Sequence, residues 1–177
     1  MPAVVAVVGR KKSGKTTTIE ILTKALTERG YKTAAVKHIP EPNFTIDKEG
    51  KDTWKYAQSG AKIVVSVSTD EIATIEKTKS GNPSLKAILR RCRGSDVVFL
   101  EGFRNLVAKN KDVYKIVIAR SSEEVIAGLE TFDPILAFTG PFRPRIGRKR
   151  IPYVDMRKNP EKLADVVENA VIKESAT

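Results

Sequence analysis

The stretch Gly9-Arg10-Lys11-Lys12-Ser13-Gly14-Lys15-Thr16 constrains this chain more than any other, because so few backbone arrangements accommodate it. It follows a continuous apolar run, Ala3-Val4-Val5-Ala6-Val7-Val8, and precedes a segment in which Ile19, Leu22, Leu26 and Arg29 recur at helical spacing. The two glycines let the chain turn so that successive amide N–H groups point inward, where no Cβ obstructs an anion. The helix that follows adds its unpaired N-terminal N–H groups and the positive end of its dipole. The spacing G-x-x-x-x-G-K-[ST], set between strand and helix, predicts a phosphate-binding loop in which Gly9, Arg10, Lys11, Lys12, Ser13, Gly14, Lys15, Thr16 and Thr17 surround the phosphates. Lys15 reaches the β- and γ-phosphates as a point charge, and the Thr16 hydroxyl is a ligand for Mg²⁺.

The remaining pattern alternates between strand and helix. Thr33-Ala34-Ala35-Val36-Lys37 reads as a second strand, so residues 3–37 form a βαβ unit. Residues 39–51 carry two prolines and no apolar period, and are expected to form a long loop. A short helix over 52–59 precedes Ile63-Val64-Val65-Ser66-Val67 and Ile72-Ala73-Thr74-Ile75, whose short connection makes the pair antiparallel. Asn82-Pro83 is expected to open a helix with Leu85, Ile88, Leu89 and Cys92 on one face. Val97-Val98-Phe99-Leu100, Ile116-Val117-Ile118-Ala119 and Ile135-Leu136-Ala137-Phe138 are further buried strands, with a short helix at 123–127. Asn159-Pro160 opens a last helix striped by Leu163, Val166, Val167, Ala170 and Val171. The expected architecture is one nucleotide-binding domain over residues 1–177: a three-layer α/β fold of the P-loop NTPase kind, mostly parallel, with an antiparallel hairpin.

A second site element is expected where a neighbouring parallel strand ends on the same sheet edge. Asp96-Val97-Val98-Phe99-Leu100-Glu101 has that form, and Glu101 is expected to face Thr16, binding Mg²⁺ or positioning a water. Glu101 and Lys15 are therefore the candidate catalytic pair, and Thr16 with Glu101 the candidate metal ligands. Lys37 and His38 end the second strand on the same edge, and Asp47, Lys51 and Asp52 lie in or beside the long loop. One histidine and one cysteine, Cys92, leave no zinc site in the pattern.

Composition narrows the partners. The 177 residues are 41% hydrophobic and 30% charged, and 32 Lys and Arg against 21 Asp and Glu give a net charge of +11. That excess points to an anionic partner: a phosphorylated small molecule, a nucleic acid or an acidic protein. Five of the cations, Arg143, Arg145, Arg148, Lys149 and Arg150, cluster near the C-terminus. No aromatic residues interleave with them, which disfavours a single-stranded nucleic-acid reading. No apolar run approaches the ~20 residues that span a bilayer. The N-terminus lacks a secretory signal pattern, and a lone cysteine fits a reducing, cytoplasmic setting.

The loop 9–16, Val36-Lys37-His38, Asp47-Lys48-Glu49-Gly50-Lys51-Asp52-Thr53-Trp54, Gly60-Ala61 and Phe99-Leu100-Glu101-Gly102-Phe103 together resemble the MobB family of molybdopterin-guanine dinucleotide biosynthesis proteins. The resemblance implies a homodimeric, cytoplasmic GTP-binding adaptor with weak Mg²⁺-dependent GTPase activity. Its partners would be molybdopterin or the guanylyltransferase that attaches GMP to it. Under that resemblance residues 9–16 hold GTP and Mg²⁺, Glu101 ends the second nucleotide motif, and Lys37, His38, Asp47, Lys51 and Asp52 are motif positions. Ile39-Pro40-Glu41-Pro42 stands where family members often carry further histidines. The chain has no Asn-Lys-x-Asp or Thr-Lys-x-Asp segment, so guanine preference comes from the resemblance alone. Two other readings share the sequence features: a P-loop small-molecule kinase, for which 143–150 would serve as an arginine-rich lid, and a basic nucleic-acid-binding module.

Overall fold

All six residues of the first strand, β1 (Ala3–Val8), are buried, so this strand must be covered on both faces and paired on both edges. The computed structural model describes residues 2–78, 83–142 and 151–172, and in it β1 is the centre of a five-stranded parallel sheet. On one side β1 pairs with β5 (Val97–Glu101), which pairs in turn with β2 (Thr33–Lys37) at the sheet's edge. On the other side it pairs with β6 (Tyr114–Ile118), followed by β7 (Ile135–Thr139). The register sets Val7 opposite Glu101 and Lys37 opposite Glu101, so three strands end level with the start of the glycine loop.

Alternation along the strands divides the apolar residues between two layers. Val5, Val7, Val97, Phe99, Ile116 and Ile118 pack on one face beneath α1 (Lys15–Glu28) and α6 (Pro160–Val167), which runs on into a π turn over Glu168–Ile172. Val4, Ala6, Val8, Val98, Leu100 and Val117 pack on the other, beneath Ile88 of α3 (Leu85–Arg91), Val107 of α4 (Arg104–Val107) and Val125 of α5 (Ser122–Thr131). The expected three-layer, mostly parallel architecture is present. A cluster at Arg29 ties α1 to α6: its guanidinium bonds Glu161 at 2.6 Å, Asp165 at 2.9 Å and Glu168 at 2.6 Å.

Chain contacts separate Ile39–Ser84 into a second unit. It holds the long loop, α2 (Asp52–Gln58) and the antiparallel pair β3 (Ile63–Val67) and β4 (Ile72–Glu76). The hairpin turn is closed by the Ser68 N–H donating to Glu71 O at 2.9 Å, with the Ser68 hydroxyl accepting from the Glu71 N–H at 3.0 Å.

Several local expectations change. The helix expected to open at Asn82-Pro83 begins at Leu85, Pro83 is exposed outside it, and Asn82 lies outside the described residues. Leu85, Leu89 and Cys92 nevertheless pack against the same apolar layer as Ile88. The short helix expected at 123–127 extends over Ser122–Thr131, and Ser121 caps its start by accepting from the Glu124 N–H at 3.3 Å. A segment with no strong strand pattern, 151–154, lies alongside β7: the Phe138 N–H donates to Pro152 O, and the Val154 N–H to Phe138 O, both at 2.9 Å. The basic cluster at 143–150 lies outside the described residues.

Candidate phosphate-binding site

Gly9 and Gly14 are glycines for different reasons. A Cβ on Gly9 would stand 2.8 Å from Ser13 Oγ and 3.2 Å from the Ile118 backbone oxygen, so the loop could not close over β6. Gly14 has φ +102°, a left-handed conformation that a side chain resists. Between them Lys12 also takes positive φ, at +58°. The Ser13 hydroxyl is buried inside the turn without a hydrogen-bond partner. A buried hydroxyl in that position is uncompensated until an acceptor or donor reaches it.

The loop opens on a cavity of about 240 Å³ lined by residues 12–17 together with Glu101. Lys15 bends back over the turn and donates from Nζ to Gly9 O at 3.2 Å and Arg10 O at 2.7 Å. Burial pushes its ammonium below the ordinary lysine range; the Glu101 carboxylate opposes this, while Lys37 and Arg120 add to it. The Thr16 hydroxyl donates to Glu101 Oε2 at 3.0 Å, and Lys37 Nζ lies 3.5 Å from Glu101 Oε1. The expected meeting of Thr16 and Glu101 is therefore met by geometry, with Lys37 as a third member.

His38 belongs to the same edge in a structural capacity. Its backbone N–H donates to Glu101 O at 2.9 Å, and its ring packs against Phe103 with centroids 5.1 Å apart. Asp47, Lys51 and Asp52 lie in the second unit and act locally there. Asp47 Oδ1 accepts from the Lys48 N–H and the Thr53 hydroxyl, each at 2.9 Å, and so organises the turn into α2. The Lys51 N–H donates to Lys48 O at 3.2 Å, and Asp52 pairs with Lys55 at 3.2 Å.

Two features of the rim were not legible as site residues. Glu124, largely buried on α5, accepts from Arg120 Nη2 at 3.0 Å and from the Arg120 N–H at 2.9 Å, and it pairs with Arg10 Nε at 3.3 Å. It thereby tethers the loop's exposed arginine to the helix after β6. The one available signal was the Ser121-x-x-Glu124 spacing of a capped helix. Met156 packs under the loop, where Thr18 donates to its sulfur at 2.8 Å and to Gly14 O at 2.9 Å. Arg104 turns away from the loop, lying over the Phe132 ring at 5.0 Å and donating to the Thr131 hydroxyl.

The donor set fits a magnesium–triphosphate. Magnesium favours hard oxygen ligands and binds through one or two protein oxygens together with phosphates. Thr16 Oγ1 and the Glu101 carboxylate supply such oxygens, and Lys15, Lys37 and the loop amides supply positive potential. Among the described residues no three His, Cys, Asp or Glu side chains converge on one point. No helix among them is long and apolar enough to cross a membrane.

Comparison with known proteins identifies the family and the fold. Residues 4–138 match the family described as molybdopterin guanine dinucleotide synthesis protein B, MobB. The chain is 29% identical over 166 residues to the molybdopterin-guanine dinucleotide biosynthesis adapter protein of Haemophilus influenzae, covering 92% of this chain and 86% of that one. A crystal structure of molybdopterin-guanine biosynthesis protein B superposes with a TM-score of 0.71 at 29% identity, over 94% of this chain and 97% of the other. The structure of Bacillus subtilis MobB shares the fold, with a TM-score of 0.68 at 21% identity over 96% and 97% of the two chains.

Proposed function

This chain belongs to the MobB family, and on that premise we propose that it is a GTP-binding adaptor for molybdopterin guanine dinucleotide synthesis. The observation that carries the nucleotide reading is the Thr16–Glu101 hydrogen bond, which brings the end of β5 onto the loop's magnesium-binding hydroxyl. In this reading the loop amides and Lys15 hold the β- and γ-phosphates, the Lys15 ammonium exchanging the Gly9 and Arg10 carbonyls for phosphate oxygens. Thr16 and Glu101 hold Mg²⁺, which would neutralise phosphate charge. Lys37, beside Glu101, keeps the carboxylate oriented. Hydrolysis is slow, because an arginine against the γ-phosphate is worth ~10³–10⁵ in rate. Arg10 and Arg104 are both engaged elsewhere, on Glu124 and on Phe132.

The adaptor works in the cytoplasm as a homodimer, and the partner enzyme is the guanylyltransferase that joins GMP to molybdopterin. The hairpin of the second unit supports the dimer. Ile63, Val65 and Val67 share one face with Ile72, and their exposures run from 53% to 73%. An apolar sheet face of this kind is stabilised by cover.

Titration with a fluorescent GTP analogue, with and without Mg²⁺, tests the reading. Saturable Mg²⁺-dependent binding that GTP displaces better than ATP, and that Lys15→Ala weakens by ~10²-fold or more, supports it. Equal affinity in Lys15→Ala, with the fold intact by circular dichroism, removes the loop from the function.

A further inference from the structure

Two buried side chains from distant parts of the chain meet beneath the phosphate loop, and neither lines its cavity. Thr18, in the first turn of α1, is fully buried, and Met156 is 4% exposed. Met156 ends the segment 151–156, which is pinned on both sides. Before it, β7 holds Pro152 and Val154 through the two backbone bonds to Phe138, and the Tyr153 hydroxyl donates to Gly140 O at 2.5 Å. After it, the Lys158 and Asn159 N–H groups donate to Asp155 O at 3.2 and 2.8 Å, which turns the chain into α6. Val154 and Met156 pack in the apolar layer shared with α1 and α6.

The Thr18 hydroxyl has more acceptors than protons. Gly14 O already accepts the Thr18 N–H at 2.9 Å, the bond that opens α1. The hydroxyl oxygen lies 2.9 Å from that same carbonyl and 2.8 Å from Met156 Sδ. One hydroxyl donates one proton, so the two acceptors compete for it. A threonine hydroxyl that donates back to the carbonyl four residues earlier weakens and bends a helix. Here the bend would fall on Gly14, the N-cap at φ +102°, and on the amides of residues 15–17 that open the helix. The sulfur gives the proton another place to go. The Met156 methyl also lies 3.5 Å from where a Cβ on Gly14 would stand, so the thioether fills the space under the cap.

We propose that Met156 is a positioning residue for the phosphate loop. It acts through Thr18: the sulfur takes the hydroxyl proton, and Gly14 O is left to the Thr18 N–H. The first turn of α1 then keeps the geometry in which its amides point at an anion. Because the segment carrying Met156 is bonded to β7 and leads into α6, the shape of the loop is set from 138 positions away in the chain. This role rests on the nucleotide reading only in taking the anion to be a triphosphate.

The test uses the full chain, the fluorescent GTP analogue and amide hydrogen exchange. Met156→Leu keeps the bulk and removes the acceptor, so the Thr18 hydroxyl is left with Gly14 O alone. Affinity for the analogue should fall about five- to tenfold, the size of one neutral hydrogen bond, and exchange at residues 14–18 of the ligand-free chain should quicken. Thr18→Val removes the hydroxyl together with its competition, and should weaken binding only about twofold. The double variant should bind as Thr18→Val does, because with both partners apolar no polar group is stranded. A purely packing role for Met156 gives no such rescue, so losses that add in the double variant overturn the proposal. Met156→Leu matching wild type in both affinity and exchange also overturns it. Should Met156→Leu fail to fold, norleucine incorporation decides: it alters only Met1 and Met156, replacing each sulfur by a methylene, and wild-type exchange at 14–18 in that chain defeats the role. A wild-type chain that binds no analogue defeats the nucleotide reading, and the exchange rates then judge Met156 by themselves.

Discussion

The two units of this chain solve different problems with similar amounts of apolar residue per strand. Residues 39–84 carry six lysines and seven carboxylates, whereas the rest carries 26 basic against 14 acidic residues, so the whole positive excess belongs to the phosphate-loop unit. That unit buries its inner strands on both faces, β1 and the apolar residues of β5 among them, and leaves its edge strand β2 partly exposed. The hairpin buries Val64 and leaves Ile63, Val65, Val67 and Ile72 exposed. Seven of the nine large hydrophobic side chains exposed among the described residues lie in 39–84. Charge repels copies of the basic unit and attracts phosphates; near-neutrality lets apolar faces approach. The difference is the basis on which anion binding is proposed for one unit and self-association for the other.

The largest expected effect breaks that division at the hairpin. Replacing Val65 and Val67 by lysine should abolish dimerisation at working concentrations, since each buried valine contributes about 1.5 kcal/mol or more. GTP binding should persist. Sedimentation at several concentrations checks this, and a wild-type chain that is monomeric throughout would sink the assignment. Next in size, Glu101→Gln should keep nucleotide affinity within severalfold while lowering Mg²⁺-dependent turnover by ~10²-fold; unchanged single-turnover rates would take Glu101 out of the metal shell.

Smaller effects concern the basic unit's own stability. Arg29→Ala leaves Glu161, Asp165 and Glu168 facing one another without their shared cation, and should cost about 2 kcal/mol in denaturant unfolding without altering the association of the hairpin. The smallest is a pH slope. Lys115 is fully buried on β6, donates to the Asn110 and Asp133 carbonyls at 2.6 Å each, and is pushed by burial, with Lys111 and Lys109 adding, from 10.5 down to about 8. Between pH 8 and 10.5 the unfolded chain holds a proton that the folded chain has released, so stability from this group rises with pH across that window and is lowest below it. Lys115→Met should flatten that part of the stability–pH curve relative to wild type.

The sequence was most informative where one local pattern admits few structures. The apolar run 3–8, the glycine spacing at 9 and 14, and the carboxylate that ends 97–101 were each legible before the fold. They depend on strand burial, on steric room for a turn and on strand direction. The site's outer members were harder to read. Arg10, Arg120 and Glu124 come together only because β6 pairs directly with β1, and Met156 reaches Thr18 across 138 positions of chain. Nothing in the spacing of Asp47, Lys51 and Asp52 said that their hydrogen bonds would be spent locally on the entry to α2. The helix over 122–131 outran its expected span at both ends: Ser121 caps its start, and Leu129 packs its last turns against the apolar layer.

The sequence by itself determined that a tight glycine loop would sit between the first strand and its helix, since few conformations satisfy two glycines, a lysine and a threonine at this spacing. Tertiary structure alone decided what surrounds the loop: which strand ends level with it and which arginine is held at its rim. Those outcomes depend on strand order and register, which are set by packing between residues far apart in the chain and leave no trace in local periodicity.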